Sequence, residues 1–356
     1  MRKVKVSAST RTTLRDMALL VLVLGLGFSD WADAAPDLSG TYNVATLTPL
    51  ELPQRFGDAL YLTPAEAKRI SAQDAARKRS RNAASDPDRE APPEGGDGSA
   101  GAAGNVGGYN TFWIDNGENT FTVDGKIPTS IITSPKDGRR PQLTAAGRRW
   151  LAQRRKAFRE NSGTAWWLEE EGPGPYDNIE QRPLPERCIL GFGPVAGPPI
   201  FPTLYNNVKR IVQTPEHVMI LAEMVHDARI IRLNAEHRPA HIRTWLGDSI
   251  GHWEGDTLVV ETTNFNDQPA LRGATRDLVV EERFRRDKNG MLIYSFKVMD
   301  DNVWTDSWEG TYPWPETPDK LYEYACHEGN YAMGNIMRGA RLLEQEYLQE
   351  TSSGDD

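Results

Sequence analysis

The sequence predicts a mainly β protein: an antiparallel meander closing into a barrel-like body, with two or three helices at its periphery. Three observations carry this. From Val208 to His327 the chain is a succession of short β-branched and aromatic runs, "VKRIVQT", "HVMILAEMV", "ARIIRL", "HIRTWL", "TLVVETTNF", "LVVEERFRR", "MLIYSFKVM", "SWEGTYPW" and "KLYEYACH". Turn residues separate them at Thr214-Pro215, Glu254-Gly255-Asp256 and Asp287-Lys288-Asn289-Gly290, and even spacing with hairpin-length connections marks an up-and-down sheet. Helical patterning is confined to three segments, and no repeat of solenoid or propeller length recurs.

Residues 1–34 read as a secretory signal peptide. A basic start (Arg2, Lys3, Lys5, Arg11, Arg15) precedes the apolar run Met17–Phe28, which is too short for a stable bilayer span, and "ADA" at Ala32–Ala34 supplies the cleavage pattern. Cleavage near Ala34 or Ala35 and a periplasmic or secreted location follow as expectations, with no membrane span left in the mature chain. Residues 35–84 hold a strand, "PDLSGTYNV", and a helix, "LTPAEAKRISAQDAARKRSRNAA", with Thr63 and Glu66 as a capping box and Pro64 at the first helical position. Residues 85–108 are rich in Gly, Ala, Pro and charge and read as a flexible loop. A single β-rich domain is expected over 109–345. It opens with the hairpin-like "YNTFWIDNGENTFTVDGKIPTSIITSP" and continues with a second helix, "LTAAGRRWLAQRRKAFREN", capped by Thr144. That helix carries Arg148, Arg149, Arg154, Arg155, Lys156 and Arg159, either a solvated face or an anion site. An irregular Pro- and Gly-rich stretch covers 172–203, a C-terminal helix "GNIMRGARLLEQEYLQE" closes one side, and 346–356 read as a flexible tail.

The formal net charge of −9 becomes −11 once the five basic and three acidic residues of 1–34 are removed. Such a surface repels phosphate backbones, so nucleic acid is not an expected partner. The only two cysteines, Cys188 and Cys326, are expected to pair in an oxidising compartment; two separate buried thiols are the alternative. No G-x-G-x-x-G opens a helix, and there is no Walker loop, H-E-x-x-H or C-x-x-C. No cofactor is expected, and a small molecule is the expected ligand. The composition does not fix an oligomeric state.

Gly247-Asp248-Ser249-Ile250-Gly251 matches a serine-hydrolase nucleophile elbow. An elbow needs a strand turning sharply into a helix, and a strand, a Glu-Gly-Asp turn and another strand follow here. A tight turn is therefore expected, not a nucleophile. His226 beside Asp227 in "AEMVHDARI" is the main acid/base candidate, with Glu223 upstream; the alternative is a turn in which Asp227 pairs with Arg229. Strand parity groups His241, Arg243 and Trp245, and Arg243 is a candidate anchor for an anionic group or a developing oxyanion. His327 and Glu328 sit beside Cys326 as further catalytic candidates or as a structural corner. Tyr109, Asn110, Trp113, Asp115, Asn207, Trp245 and Tyr324 are candidate substrate contacts, by the aromatic-plus-amide chemistry of sugar and aromatic sites. His237, His241 and His252 lack familiar ligand spacing, since Pro239 breaks the helix that the first pair would need, so no metal is expected.

The segments "GYNTFWIDNG", "TSIITSPKDGRRPQLT", "ERCILGFG", "EMVHDARII", "HIRTWLGDSIGHWEGDTLVVETTNFND" and "YEYACHEGNYAM" resemble a large family of exported proteins of soil and aquatic proteobacteria and acidobacteria. His252 stands where the similar proteins more often have Arg. The resemblance implies a periplasmic location and a calycin- or lipocalin-like β-rich body, and carries no reaction with it. The residues themselves point first to a cofactor-independent enzyme that moves a proton on a small aromatic, terpenoid or sugar-like molecule, by elimination, hydration, isomerisation or hydrolysis. A non-catalytic carrier of a hydrophobic or aromatic compound is the second reading, and an envelope structural or interaction protein the third.

Overall fold

Twelve strands are present among the described residues: β1 (Gly40–Asn43), β2 (Tyr61–Leu62), β3 (Ile127–Pro128), β4 (Ile132–Ser134), β5 (Val208–Gln213), β6 (His217–Ala222), β7 (Ala228–Leu233), β8 (Asp248–Glu254), β9 (Thr257–Thr263), β10 (Val279–Arg286), β11 (Leu292–Met299) and β12 (Trp308–Trp314). The structure is a computed structural model and describes residues 35–81, 88, 114–155, 159, 162–191 and 193–353. The expected signal segment, most of the 85–108 loop, and Tyr109, Asn110 and Trp113 lie outside the described residues.

Ten strands form one sheet in the order β1-β5-β6-β7-β8-β9-β10-β11-β12-β4, curled into a half-barrel, and β2 pairs with β3 separately. The order follows the sequence from β5 to β12, with short hairpin turns at β5–β6, β8–β9 and β10–β11. One junction departs from the expected antiparallel meander. β7 and β8 run parallel, with Ile231 opposite Ser249 and Leu233 opposite Gly251. A parallel pair needs a crossover, and residues 234–247 supply it. "HIRTWL" is therefore not a strand but part of that crossover, in which Thr244 forms an isolated bridge with Phe265. "KLYEYACH" is not a strand either; it runs as irregular chain from Lys320 into a turn at Cys326.

Residues Asp37 to Asp356 make up one unit, because β1 hydrogen-bonds along β5 from Gly40–Ile211 to Asn43–Val208. β1 is thus an edge strand of the main sheet. Three helices flank the sheet: α1 (Pro64–Arg81), α2 (Ala145–Arg155) and α3 (Tyr331–Ser353). The α1 capping box forms as expected: the Thr63 N–H donates to Glu66 Oε2 at 2.8 Å, and the Glu66 N–H to Thr63 Oγ1 at 3.2 Å. Thr144 caps α2 through the Gly147 N–H at 2.9 Å. Gly147 also lets α2 lie against the β11–β12 loop, since a Cβ there would sit 2.5 Å from the Val303 carbonyl oxygen. α3 runs to Ser353, so residues 346–353 are helical where a tail was expected.

The inner face of the sheet follows the period of two. β12 alternates strictly, with Trp308, Gly310, Tyr312 and Trp314 buried. They meet Phe284, Tyr294 and Phe296 in ring contacts such as Tyr294–Trp314 at 4.9 Å between centroids. An ion pair sits among these rings. Arg229 on β7 and Glu282 on β10 are both buried and joined by two hydrogen bonds, Arg229 Nη2 to Glu282 Oε1 at 2.9 Å and a shorter one from Nη1 to Oε2. Tyr294 OH donates to Glu282 Oε1 at 2.7 Å and accepts the Ile200 N–H at 2.9 Å, while Tyr312 OH donates to the Ile200 carbonyl at 2.9 Å. The Pro- and Gly-rich segment is thereby pinned to the inner face at Ile200.

The registers put the β6–β7 turn, the β9–β10 loop and the β11–β12 loop at one end of the sheet. The chain leading into β5 enters at that same end.

Candidate functional site

Residues Glu223 to Asp227 turn the chain from β6 to β7. Val225 and His226 take positive φ, 59° and 46°. A β-branched residue in this region is a genuine outlier, and each such residue costs about 1–3 kcal/mol, tolerated where the surroundings over-determine it. They do so here. Met224 and Val225 are buried against Val195 with Tyr205 and Tyr324 packed alongside. Glu223 accepts Asn206 Nδ2 at 2.6 Å and the Tyr322 N–H at 2.9 Å. The Ala222 N–H closes the turn on the Asp227 carbonyl at 2.8 Å.

This geometry separates two residues that the sequence suggests act together. His226 is exposed, with Nδ1 against the carbonyl of its own neighbour, Val225, and not against Asp227. Asp227 does not orient it. Nor does Asp227 pair with Arg229, which belongs to Glu282. The Asp227 carboxylate instead takes the Gly191 N–H, while its Oδ2 is buried with no hydrogen-bond partner. Gly191 must be a glycine for this approach: a Cβ would collide with Val195 Cγ2 and lie 2.7 Å from Met224 Sδ.

Beside Asp227 lies Lys209, which sequence reasoning missed. It is wholly buried on the inner face of β5, opposite Ala222 and Tyr42, and donates to the Asn206 carbonyl at 3.1 Å. Burial pushes its pKa down from 10.5 to about 7, against the pull of Glu223, Asp115 and Asp227. Burial pushes Asp227 up from 3.8 to about 7, against the Gly191 N–H and the Lys209 charge. The two groups therefore exchange protonation states near neutral pH, as a coupled pair.

The sign of the resulting pH dependence follows. Asp227 is raised, so its contribution to stability is complete below its ordinary 3.8 and lost as pH climbs through about 7. Lys209 is lowered, so its contribution is complete above 10.5 and lost as pH falls through about 7. Asp227→Asn should therefore gain stability on the wild type as pH rises from about 4 to about 7, at up to about 1.4 kcal/mol per pH unit. Urea unfolding at several pH values measures this, and parallel stability curves would show that the carboxyl is not held in a charge-excluding place.

The remaining candidates divide. Asn207 is fully buried and knots the entry to β5, donating to the carbonyls of Asp115 and Thr203 and accepting the Thr203 N–H at 2.8 Å. Asp115 receives Asn43 Nδ2 at 3.1 Å. Tyr324 packs over the strained turn. These three lie around Lys209 and Asp227. Arg243 donates to the carbonyls of Phe265 and Arg276, each at 2.8 Å, and so clamps the β9–β10 loop; it does not serve His226. Trp245 is half-buried in the crossover, and His327 and Glu328 are exposed on the turn before α3. Ser249 is 2 % exposed, lies within β8 and shares a hydrogen bond with Thr262 Oγ1 at 2.8 Å, so neither an elbow nor a tight turn exists at that position. His237 bridges Asp248 and Glu261 at 3.0 and 3.1 Å, whereas His241 and His252 are exposed. Among the described residues no group of three or more His, Cys, Asp or Glu is arranged to hold a metal. No helix among them is long and apolar enough to cross a membrane.

A disulfide joins Cys188 to Cys326 with 5.7 Å between Cα atoms. It ties the strand-less segment that carries Gly191 to the strap Tyr322–Cys326 that holds Glu223. On the far side of Gly191 opens a cleft of about 1210 Å³, walled by Trp150, Leu190 and Trp304 and edged by Arg154 and Arg272. No model of a known protein family, no curated protein and no solved structure matches this chain.

Proposed function

We propose that this is an exported, cofactor-independent enzyme that moves a proton on a small organic molecule, with Asp227 as the acid/base and Lys209 as the buried charge that sets its ionisation. The observation that carries this is the Asp227 carboxyl. It is held on a strained turn, with one oxygen buried and unpartnered, next to a fully buried lysine and one hydrogen bond behind a glycine that lines a cleft. A carboxyl whose pKa lies near the working pH is the most efficient proton carrier, and strain and perturbed ionisation concentrate at functional sites. Glu223 and Asn206 position the turn and the Lys209 partner. His226 stands at the rim.

Elimination, hydration, isomerisation and hydrolysis all need this step, and the pair serves any of them. The body is taken as calycin-like: beyond β12 the chain returns to β1, with Asn43 N–H to the Pro315 carbonyl at 3.1 Å and Thr317 N–H to the Thr41 carbonyl at 2.9 Å. Export is supported by the basic, apolar and small-residue pattern of residues 1–34 and by the disulfide, which needs an oxidising compartment.

The protein exported by a bacterial host and incubated with a panel of small acids, aromatics and glycosides should convert at least one compound. Asp227→Asn is expected to lower kcat/KM about 10²–10⁴-fold, and His226→Ala less than about tenfold. Equal turnover by Asp227→Asn removes the assignment. The same preparation should begin near Ala35; a chain starting at Met1 counts against export. The carrier reading is favoured by one observation, the aromatic walls Trp150 and Trp304 of the cleft. It predicts a stoichiometric ligand, seen in the native mass and released unchanged.

A further inference from the structure

We infer that the cleft beside Gly191 holds an oxyanion, a carboxylate or phosphate group on its small-molecule occupant, between Arg154 and Arg272. The inference takes the cleft of the proposed function as the ligand's berth and names the chemical class it admits.

Arg154 lies in the last turn of α2, which Gly147 brings against the β11–β12 loop, and its side chain is half-buried. Its guanidinium stands 5.4 Å over the Trp150 ring and makes one long hydrogen bond, 3.4 Å, to the Asp267 carbonyl. Among the described residues no carboxylate lies within ion-pair distance of it. Arg140 and Arg182 on the same cleft differ, and Arg155 is exposed. Arg140 is paired with Glu51 at 2.5 Å, and Arg182 is held by both oxygens of Glu186 at 2.9 and 3.1 Å. The charge that does act on Arg154 has its own sign: Arg272 lines the same cleft, and burial and Arg272 together push the Arg154 pKa down.

Two like charges line this cleft, Arg154 half-buried with no carboxylate partner among the described residues and Arg272 exposed at the edge, and the half-buried one is costly to hold unless something anionic lies beside it. A carboxylate or a phosphate can take several of their N–H donors in charge-assisted pairs, and the Trp150 ring beneath the Arg154 guanidinium limits where that fork can point. The carboxylates on the cleft wall do not fill this place. Glu51 is held by Arg140 and Asp267 faces Arg276 at 3.2 Å; Glu171 and Glu180 are exposed.

The test is binding without turnover. The full exported protein is titrated at low salt with benzoate and, separately, with inorganic phosphate, reading heat and the part of the tryptophan fluorescence change that Trp150→Phe removes. Either anion should bind to the wild type and to Asp227→Asn alike. Arg154→Gln and Arg272→Gln should each weaken it about tenfold or more, and Arg154→Lys less, because the point charge remains while the fork is lost. Benzoate alone binding names a carboxylate source, phosphate alone a phosphorylated one. Failure of both anions to bind, or undiminished binding by Arg154→Gln of wild-type melting temperature, overturns the inference. Anion binding that survives alongside normal turnover by Asp227→Asn would sink the proposed acid/base while leaving the oxyanion site standing.

Discussion

Glu282→Ala is expected to destabilise the protein by about 3–5 kcal/mol, the cost of leaving a buried charge without its partner. Arg229 is 3 % exposed and Glu282 is wholly buried, and burial alone would drive the guanidinium toward its neutral form. The Glu282 charge and hydrogen bonds reverse this and hold the Arg229 pKa above its ordinary value. Removing the carboxylate strands the cation and also takes the acceptor from Tyr294 OH, through which Ile200 is docked. Ile200 anchors the segment that presents Gly191 to Asp227 and Asn206 to Lys209, so loosening should spread to the site. Arg229→Met combined with Glu282→Leu is expected to recover much of the loss, since apolar isosteres carry no desolvation penalty. Urea unfolding of the three proteins measures this. A single-variant loss below about 1 kcal/mol would mean that water reaches the pair.

Reduction of the Cys188–Cys326 bridge, or Cys326→Ser, should cost about 3–5 kcal/mol. The bridge joins residues 138 apart in sequence, and a loop of that length removes about 5 kcal/mol of chain entropy from the unfolded state, of which measured bridges usually return somewhat less. The readout is the shift in urea midpoint with and without reductant. The Asp227→Asn stability advantage at neutral pH should shrink in the reduced protein, because the bridge fastens Gly191's segment to the strap over Glu223. An unchanged midpoint would show that neither segment depends on it.

Most of the elements were legible because their causes are local. The Thr63–Glu66 box and the Thr144 cap satisfy backbone donors within one turn of chain. β12 alternates with a period of two, and the short β5–β6, β8–β9 and β10–β11 turns leave antiparallel neighbours as the only solution. The cysteines are two, so their pairing has one form.

What was not legible depends on register. Lys209 sits in "VKRIVQT", where Val208 and Val212 resemble an inward pair just as well as Lys209 and Ile211 do. The β5–β6 pairing of Lys209 with Ala222 turns the lysine inward. The parallel β7–β8 junction was hidden because residues 234–247 carry no helical pattern, which is how a crossover usually announces itself. Arg243 looked like an anion anchor and became a loop clamp, and Arg154, on a helix that read as either a solvated face or an anion site, lines the cleft. The positive φ of Val225 could not be foreseen, since its residue type argues against it.

The sequence by itself therefore determined the β-rich class, the starts of the first two helices and the cysteine pair, all of which follow from periodicity, capping and composition. Only the tertiary structure decided which charges are buried and which face one another. It set Asp227 against Lys209 and moved His226 to the rim, because strand register and a strained turn orient side chains that propensity leaves free.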